Sequence, residues 1–112
     1  MVNYHRAVGL DSVLAAVSDP TRRAIVDHLS KGPSTISSVA AKFPMSLPGF
    51  CKHVKVLERS GLVRRRHHGR ENTLELNPEP LREVAQWAFS YARFWNQQLD
   101  RMESHFTSKR GK

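Results

Sequence analysis

The stretch Ser46-Leu47-Pro48-Gly49-Phe50-Cys51-Lys52-His53-Val54-Lys55-Val56-Leu57-Glu58-Arg59-Ser60-Gly61 decides the fold. Phe50, Val54 and Leu57 recur at i, i+4 and i+7, the spacing of one helix face, so they form the buried side. Ser46 is a good N-cap, and Gly61 stands just past the end, where a left-handed residue closes a helix. The spacing predicts a helix over about 47–60. Its opposite face presents Pro48, Cys51, Lys52, Lys55 and Arg59 to solvent.

Working upstream, Val39, Ala40 and Phe43 give the inward face of a preceding helix that Ser37 would cap, with Pro44-Met45 as the break. Two helices of this length joined by three or four residues have helix-turn-helix spacing. Further upstream, Asp19 caps a helix that has Pro20 in its first turn and Ile25, Val26 and Leu29 inside. Lys31-Gly32-Pro33 ends it. Leu10, Val13, Leu14 and Val17 suggest a first helix over about 10–17, and Thr35-Ile36 a very short extended segment.

Downstream the period changes from helical to alternating. Leu62 to His67 and Thr73 to Leu76 read as two strands, with Leu74 and Leu76 on one face. His68-Gly69-Arg70-Glu71-Asn72 forms the turn between them. A basic hairpin directly after a helix-turn-helix is a wing, here about 62–76. A long last helix follows over about 79–106. Its stripe Leu81, Val84, Ala88, Tyr91, Trp95, Leu99, Met102 and Phe106 is widened by Trp87 and Phe94. The fold class expected is mainly α with a small β-hairpin, about five helices plus a two-stranded wing in one domain.

The 112 residues suffice for one ordinary domain, and 39% hydrophobic with 25% charged residues is near the globular average. The single cysteine, Cys51, gives no intrachain disulfide, and no run is apolar enough to span a bilayer. The chain reads as cytoplasmic, with no membrane partner. The net charge of +8 is concentrated: residues 42–70 hold eight Lys and Arg against Glu58 alone, whereas residues 71–108 are net acidic. A local basic block between neutral and acidic sequence points to a polyanion partner.

In such a reading the helix start, Ser46, Leu47, Pro48, Gly49 and Cys51, meets base edges and phosphate, while Lys52 and Lys55 lie on the exposed face. His53 borders the buried arc, as an edge residue or a phosphate donor. Strand alternation prevents Arg64, Arg65 and Arg66 from all facing one backbone. Arg66, His68 and Arg70, nearest the tip, are therefore the wing contacts, and Arg64 or Arg65 pairs with an acid such as Glu75.

Asp19-Pro20-Thr21-Arg22-Arg23-Ala24-Ile25, then Lys52-His53-Val54-Lys55-Val56-Leu57, then Ser60-Gly61-Leu62-Val63 and Gly69-Arg70 leading to Leu74-Glu75-Leu76-Asn77-Pro78 occur in order along nearly the whole chain. In these segments the chain resembles the ArsR family of bacterial winged-helix repressors. The resemblance implies a homodimer that binds double-stranded operator DNA and represses transcription, and so associates with the nucleoid. It places reading in 47–60, backbone contact in the wing, and the dimer surface on the first and last helices. Leu10, Leu14, Val84, Ala88, Tyr91, Trp95, Leu99 and Met102 would line that surface. Metal-sensing members carry cysteines in the helix before recognition, or histidines and carboxylates in the last helix. Residues 37–43 hold no cysteine and the last helix one histidine, His105, so the likeness is to the non-metal branch.

No metal, cofactor or enzyme is expected. Adjacent His67 and His68 point to opposite strand faces and cannot readily share an ion. Cys51 lacks a second cysteine to resolve an oxidised thiol, and reads first as a small packing residue. Trp87, Tyr91, Phe94 and Trp95 read first as dimer core, with a pocket for an unknown small-molecule effector as the alternative. Two other readings stay open: a redox- or effector-responsive sensor, and a winged-helix module whose basic block binds an acidic protein.

Overall fold

The computed structural model describes the backbone of residues 4–110 and the side chains of residues 9–105. Along the chain run α1 (Tyr4–Ala16), α2 (Pro20–Leu29), β1 (Ser34–Thr35), α3 (Ile36–Ala40), α4 (Leu47–Arg59), β2 (Val63–His68), β3 (Glu71–Leu76), α5 (Glu79–Phe89) and α6 (Ala92–Arg110). Among the described residues, six helices and a three-stranded antiparallel sheet of order β1-β3-β2 replace the expected five helices and two strands.

The extra strand is a two-residue pairing, Ser34 opposite Leu74 and Thr35 opposite Thr73. Thr35 also displaces Ser37 as the cap of α3: its Oγ1 accepts from the Ser38 N–H at 3.1 Å. That helix is one short turn, and residues 41–46 connect it to α4, a longer link than expected. The first helix starts earlier than position 10. The wing turn is shorter than expected, only Gly69-Arg70 between β2 and β3. Gly69 has φ +63°, the left-handed value that a type II′ turn requires at its first central residue.

The long last helix is divided at Ser90-Tyr91. The Ser90 hydroxyl donates to the Trp87 carbonyl at 2.6 Å, and the Tyr91 N–H donates to the Ala88 carbonyl at 3.1 Å. A side chain bonded to the preceding turn and an i to i−3 backbone bond tighten and end α5. The apolar stripe runs through the break because its spacing survives, so periodicity alone does not reveal it.

The core is continuous. Val13 and Ala16 of α1, Ile25 and Leu29 of α2, Val39 of α3, and Phe50, Val54 and Leu57 of α4 close over Leu62, just ahead of β2, and over Val63 and Leu74 of the sheet. Phe50, Val54 and Leu57 are wholly buried, so the face read from their spacing is the one that packs. Phe43 rests against Phe50 with ring centroids 5.7 Å apart, which fixes the connection ahead of α4. Asn77 ties the wing base to the end of α4. Its N–H donates to the Leu62 carbonyl at 2.8 Å and its Nδ2 to the Gly61 carbonyl at 3.0 Å. The stripe's last member, Phe106, lies outside the described side chains.

Candidate nucleic-acid interface

The interface is built on the start of α4. Ser46 Oγ accepts from the Gly49 N–H at 3.2 Å, and Pro48 takes a first-turn position where its missing N–H costs nothing. A Cβ on Gly49 would sit 3.2 Å from that same Ser46 Oγ, so glycine lets the cap close without pushing the hydroxyl aside. Ser46, Leu47 and Pro48 are exposed and Cys51 is half-buried. Lys52 and Lys55 are exposed on the outward face, as their spacing predicts.

His53 sits differently from the helix-face cations. Half-buried, its Nδ1 lies 3.3 Å from Arg22 Nη1 and 3.8 Å from Asp19 Oδ2, turned toward the start of α2. Arg22 reaches further: its Nε donates to the Ala16 carbonyl at 2.6 Å and its Nη2 to the Ala15 carbonyl at 3.2 Å. One guanidinium therefore joins the end of α1 to the middle of α4. Asp19, the cap of α2, accepts from the Arg22 N–H at 3.0 Å. That backbone bond, with His53 and Arg22 charges close by, holds the Asp19 carboxyl below its ordinary pKa. The capping aspartate was legible in the sequence; its role as neighbour to the reading helix was not, because positions 19 and 53 are brought together only by the fold.

In the wing, Val63 and Arg65 share the inward face, while Arg64 and Arg66 share the outward one with Glu75. Arg66 Nε donates to Glu75 Oε1 at 2.6 Å. Arg65 turns to α4 instead, its Nε and Nη2 donating to the two oxygens of Glu58 at 3.3 and 3.1 Å. So Glu75 pairs with Arg66, one of the two arginines assigned to DNA, rather than with Arg64 or Arg65. Glu58 is the partner that sequence reasoning missed, although it is the lone acid of the basic block. His68 and Arg70 are exposed at the tip, as expected. Among the described residues Lys52, Lys55, Arg64 and Arg70 form no ion pair. With Arg59 at the exposed end of α4, likewise unpaired, these cations stay available to a polyanion.

Between α4 and the wing lies a cleft of about 360 Å³, walled by Ile36, Leu47, Cys51, Arg65, Arg70 and Asn72 among others. It separates the helix start from the hairpin, leaving space for something to pass between them.

The helices after the wing carry a second surface. Trp87, Phe89, Tyr91, Phe94, Trp95, Leu99 and Met102 are each about half exposed or more, and Ala88 is also exposed. Trp87 meets Tyr91 edge-on at 5.9 Å, and Phe94 meets Trp95 at 5.6 Å. Of the other residues assigned to a dimer face, Val84 packs partly into the core, and Leu10 and Leu14 are half-buried. Among the described residues no three His, Cys, Asp or Glu side chains come together as a metal site, and no helix is long and apolar enough to cross a membrane.

A capped basic helix preceded by a short helix and followed by a basic hairpin defines a winged helix-turn-helix protein. A helix-turn-helix domain family matches residues 17–66. The HTH-type transcriptional regulator Rv2034 of Mycobacterium tuberculosis is 36% identical over 89 residues, 80% of each chain. The transcriptional repressor SdpR of Bacillus subtilis is 29% identical over 82 residues, covering 73% of this chain and 91% of SdpR. The crystal structure of an ArsR family transcriptional regulator superposes with a TM-score of 0.74 at 39% identity, covering 80% of this chain and 93% of that one. The chain belongs to the ArsR family of winged helix-turn-helix transcriptional regulators, a family of DNA-binding proteins and not of enzymes.

Proposed function

We propose that the chain works as a homodimeric repressor in the cytoplasm, binding a roughly palindromic operator on nucleoid DNA. The observation that carries this reading is the set of unpaired cations on α4 and the wing, Lys52, Lys55, Arg59, Arg64 and Arg70. A helix with this face suits a major groove, and a basic hairpin beside it suits the neighbouring backbone. The exposed aromatic surface of α5 and α6 supports a second copy as its cover, since monomeric proteins rarely leave so much contiguous apolar surface in water. The repressor SdpR among the relatives supports the direction of regulation.

An effector entering between the dimer helices, or an oxidant reaching half-buried Cys51, would act by lowering DNA affinity. Titrating DNA affinity against candidate compounds separates such a sensor from a constitutive repressor.

Selection of genomic fragments by the purified full chain tests the main reading. The expected result is a set of fragments sharing an inverted repeat, bound with affinity that falls steeply with salt. Absence of salt-dependent DNA binding, with capture of an acidic protein instead, would leave the wing a protein-contact module.

A further inference from the structure

The reading end of α4 carries no long polar side chain suited to bidentate hydrogen bonding with a base. Residues 46–51 are Ser, Leu, Pro, Gly, Phe and Cys. Ser46 is engaged as the cap, its Oγ accepting from the Gly49 N–H. Phe50 is wholly buried, and Gly49 has no side chain. The first cation on the outward face is Lys52, beyond the first turn, and no Arg, Asn or Gln stands anywhere from Ser46 to Glu58. What the helix start does present is Leu47, 56% exposed, the first residue of α4 and, among the described residues, the one large apolar side chain exposed before α5.

We infer that Leu47 reads the C5-methyl group of a thymine, so that the operator carries a required T·A pair under each reading helix. Of the groups displayed in the major groove, that methyl is the apolar one, and it distinguishes T·A from the other pairs. An exposed leucine at a helix start that is otherwise spent on capping and core is matched to it chemically. Leu47 also walls the cleft between α4 and the wing, beside Cys51 and Ile36, so a methyl meeting it would be drawn from water on more than one side. This inference rests on the DNA-binding reading above and names the base feature that reading leaves open.

The test uses duplexes selected from a random pool by the full chain. Each thymine of the selected sequence is replaced in turn by deoxyuridine, which lacks only the methyl and keeps every hydrogen-bonding edge. One position per half-site should lose roughly fourfold in affinity, and the pair of symmetric replacements roughly fifteenfold, as for one buried methyl each. Leu47→Ala should bind the unmodified duplex less tightly by the same factors and be indifferent to uracil there. Its circular dichroism should match that of the unsubstituted chain, since an exposed side chain outside the core leaves the fold alone. Uracil without effect at every position, or a uracil penalty that persists in Leu47→Ala, overturns the assignment while DNA binding stands. If no duplex is selected at all, the DNA-binding reading falls first and this inference with it.

Discussion

Trp95→Ala should dissociate the homodimer without unfolding the chain. Trp95 lies on α6, outside the buried core, and remains 56% exposed in the single chain. A large aromatic presents about 150–250 Å² for burial, so about 100 Å² of Trp95 is left for a partner to cover. At about 25 cal/mol per Å², and allowing for what alanine still buries, the loss is roughly 2 kcal/mol per protomer. Two protomers lose roughly 4 kcal/mol, about a thousandfold in the dimer Kd. Sedimentation equilibrium over a wide concentration range measures that constant, and circular dichroism reports the fold of the resulting monomer. An unchanged Kd would show that α6 does not form the interface. Loss of helical signal in the monomer would show that Trp95 supports the fold.

Three other outcomes are expected. Arg70→Ala should weaken binding to operator and random DNA alike and flatten log affinity against log salt by about one unit. Arg66→Ala, whose guanidinium is already held by Glu75, should flatten it less; titrations at several salt concentrations compare the two. Asp19→Ala should lower the melting temperature at neutral pH. Because the folded carboxyl has a depressed pKa, its stabilisation is complete above the ordinary carboxylate range and fades as pH falls through the folded value. The gap between wild type and variant should close on acidification, and thermal melts across pH would expose a persistent gap. Stoichiometric zinc should leave operator affinity unchanged, as no three potential ligands converge among the described residues. A tenfold shift, about 1.4 kcal/mol of coupling, would reveal a site.

The elements legible in the sequence are those whose signals are local. Phe50, Val54 and Leu57 announce α4 by spacing, Ser46 and Asp19 announce caps by type, and Gly69 announces a turn. The features that were not legible depend on distant partners. The short extended segment read at Thr35-Ile36 falls one residue earlier, at Ser34 and Thr35, and its pairing into the sheet depends on Thr73 and Leu74 lying alongside. The switch of Arg65 to Glu58 follows from strand register, which places Arg65 on the inward face above the end of α4. The bridge from Arg22 to His53 spans 31 positions. The break at Ser90 was local in chemistry but hidden, since serine inside a helical stripe is common and the bonds to Trp87 and Ala88 that end the helix leave no mark on the spacing.

The sheet order β1-β3-β2 leaves β2 on the outside, a six-residue edge with one side of its backbone unpaired within the chain. Such an edge invites any other extended chain to add itself, the usual start of aggregation. Here the edge reads Val63-Arg64-Arg65-Arg66-His67-His68, and like charge set against like charge repels a second copy arriving strand to strand. The arginines of this strand thus also act as gatekeepers of colloidal stability. A variant that trades several of them for apolar residues to abolish DNA binding would be expected to lose its solubility as well.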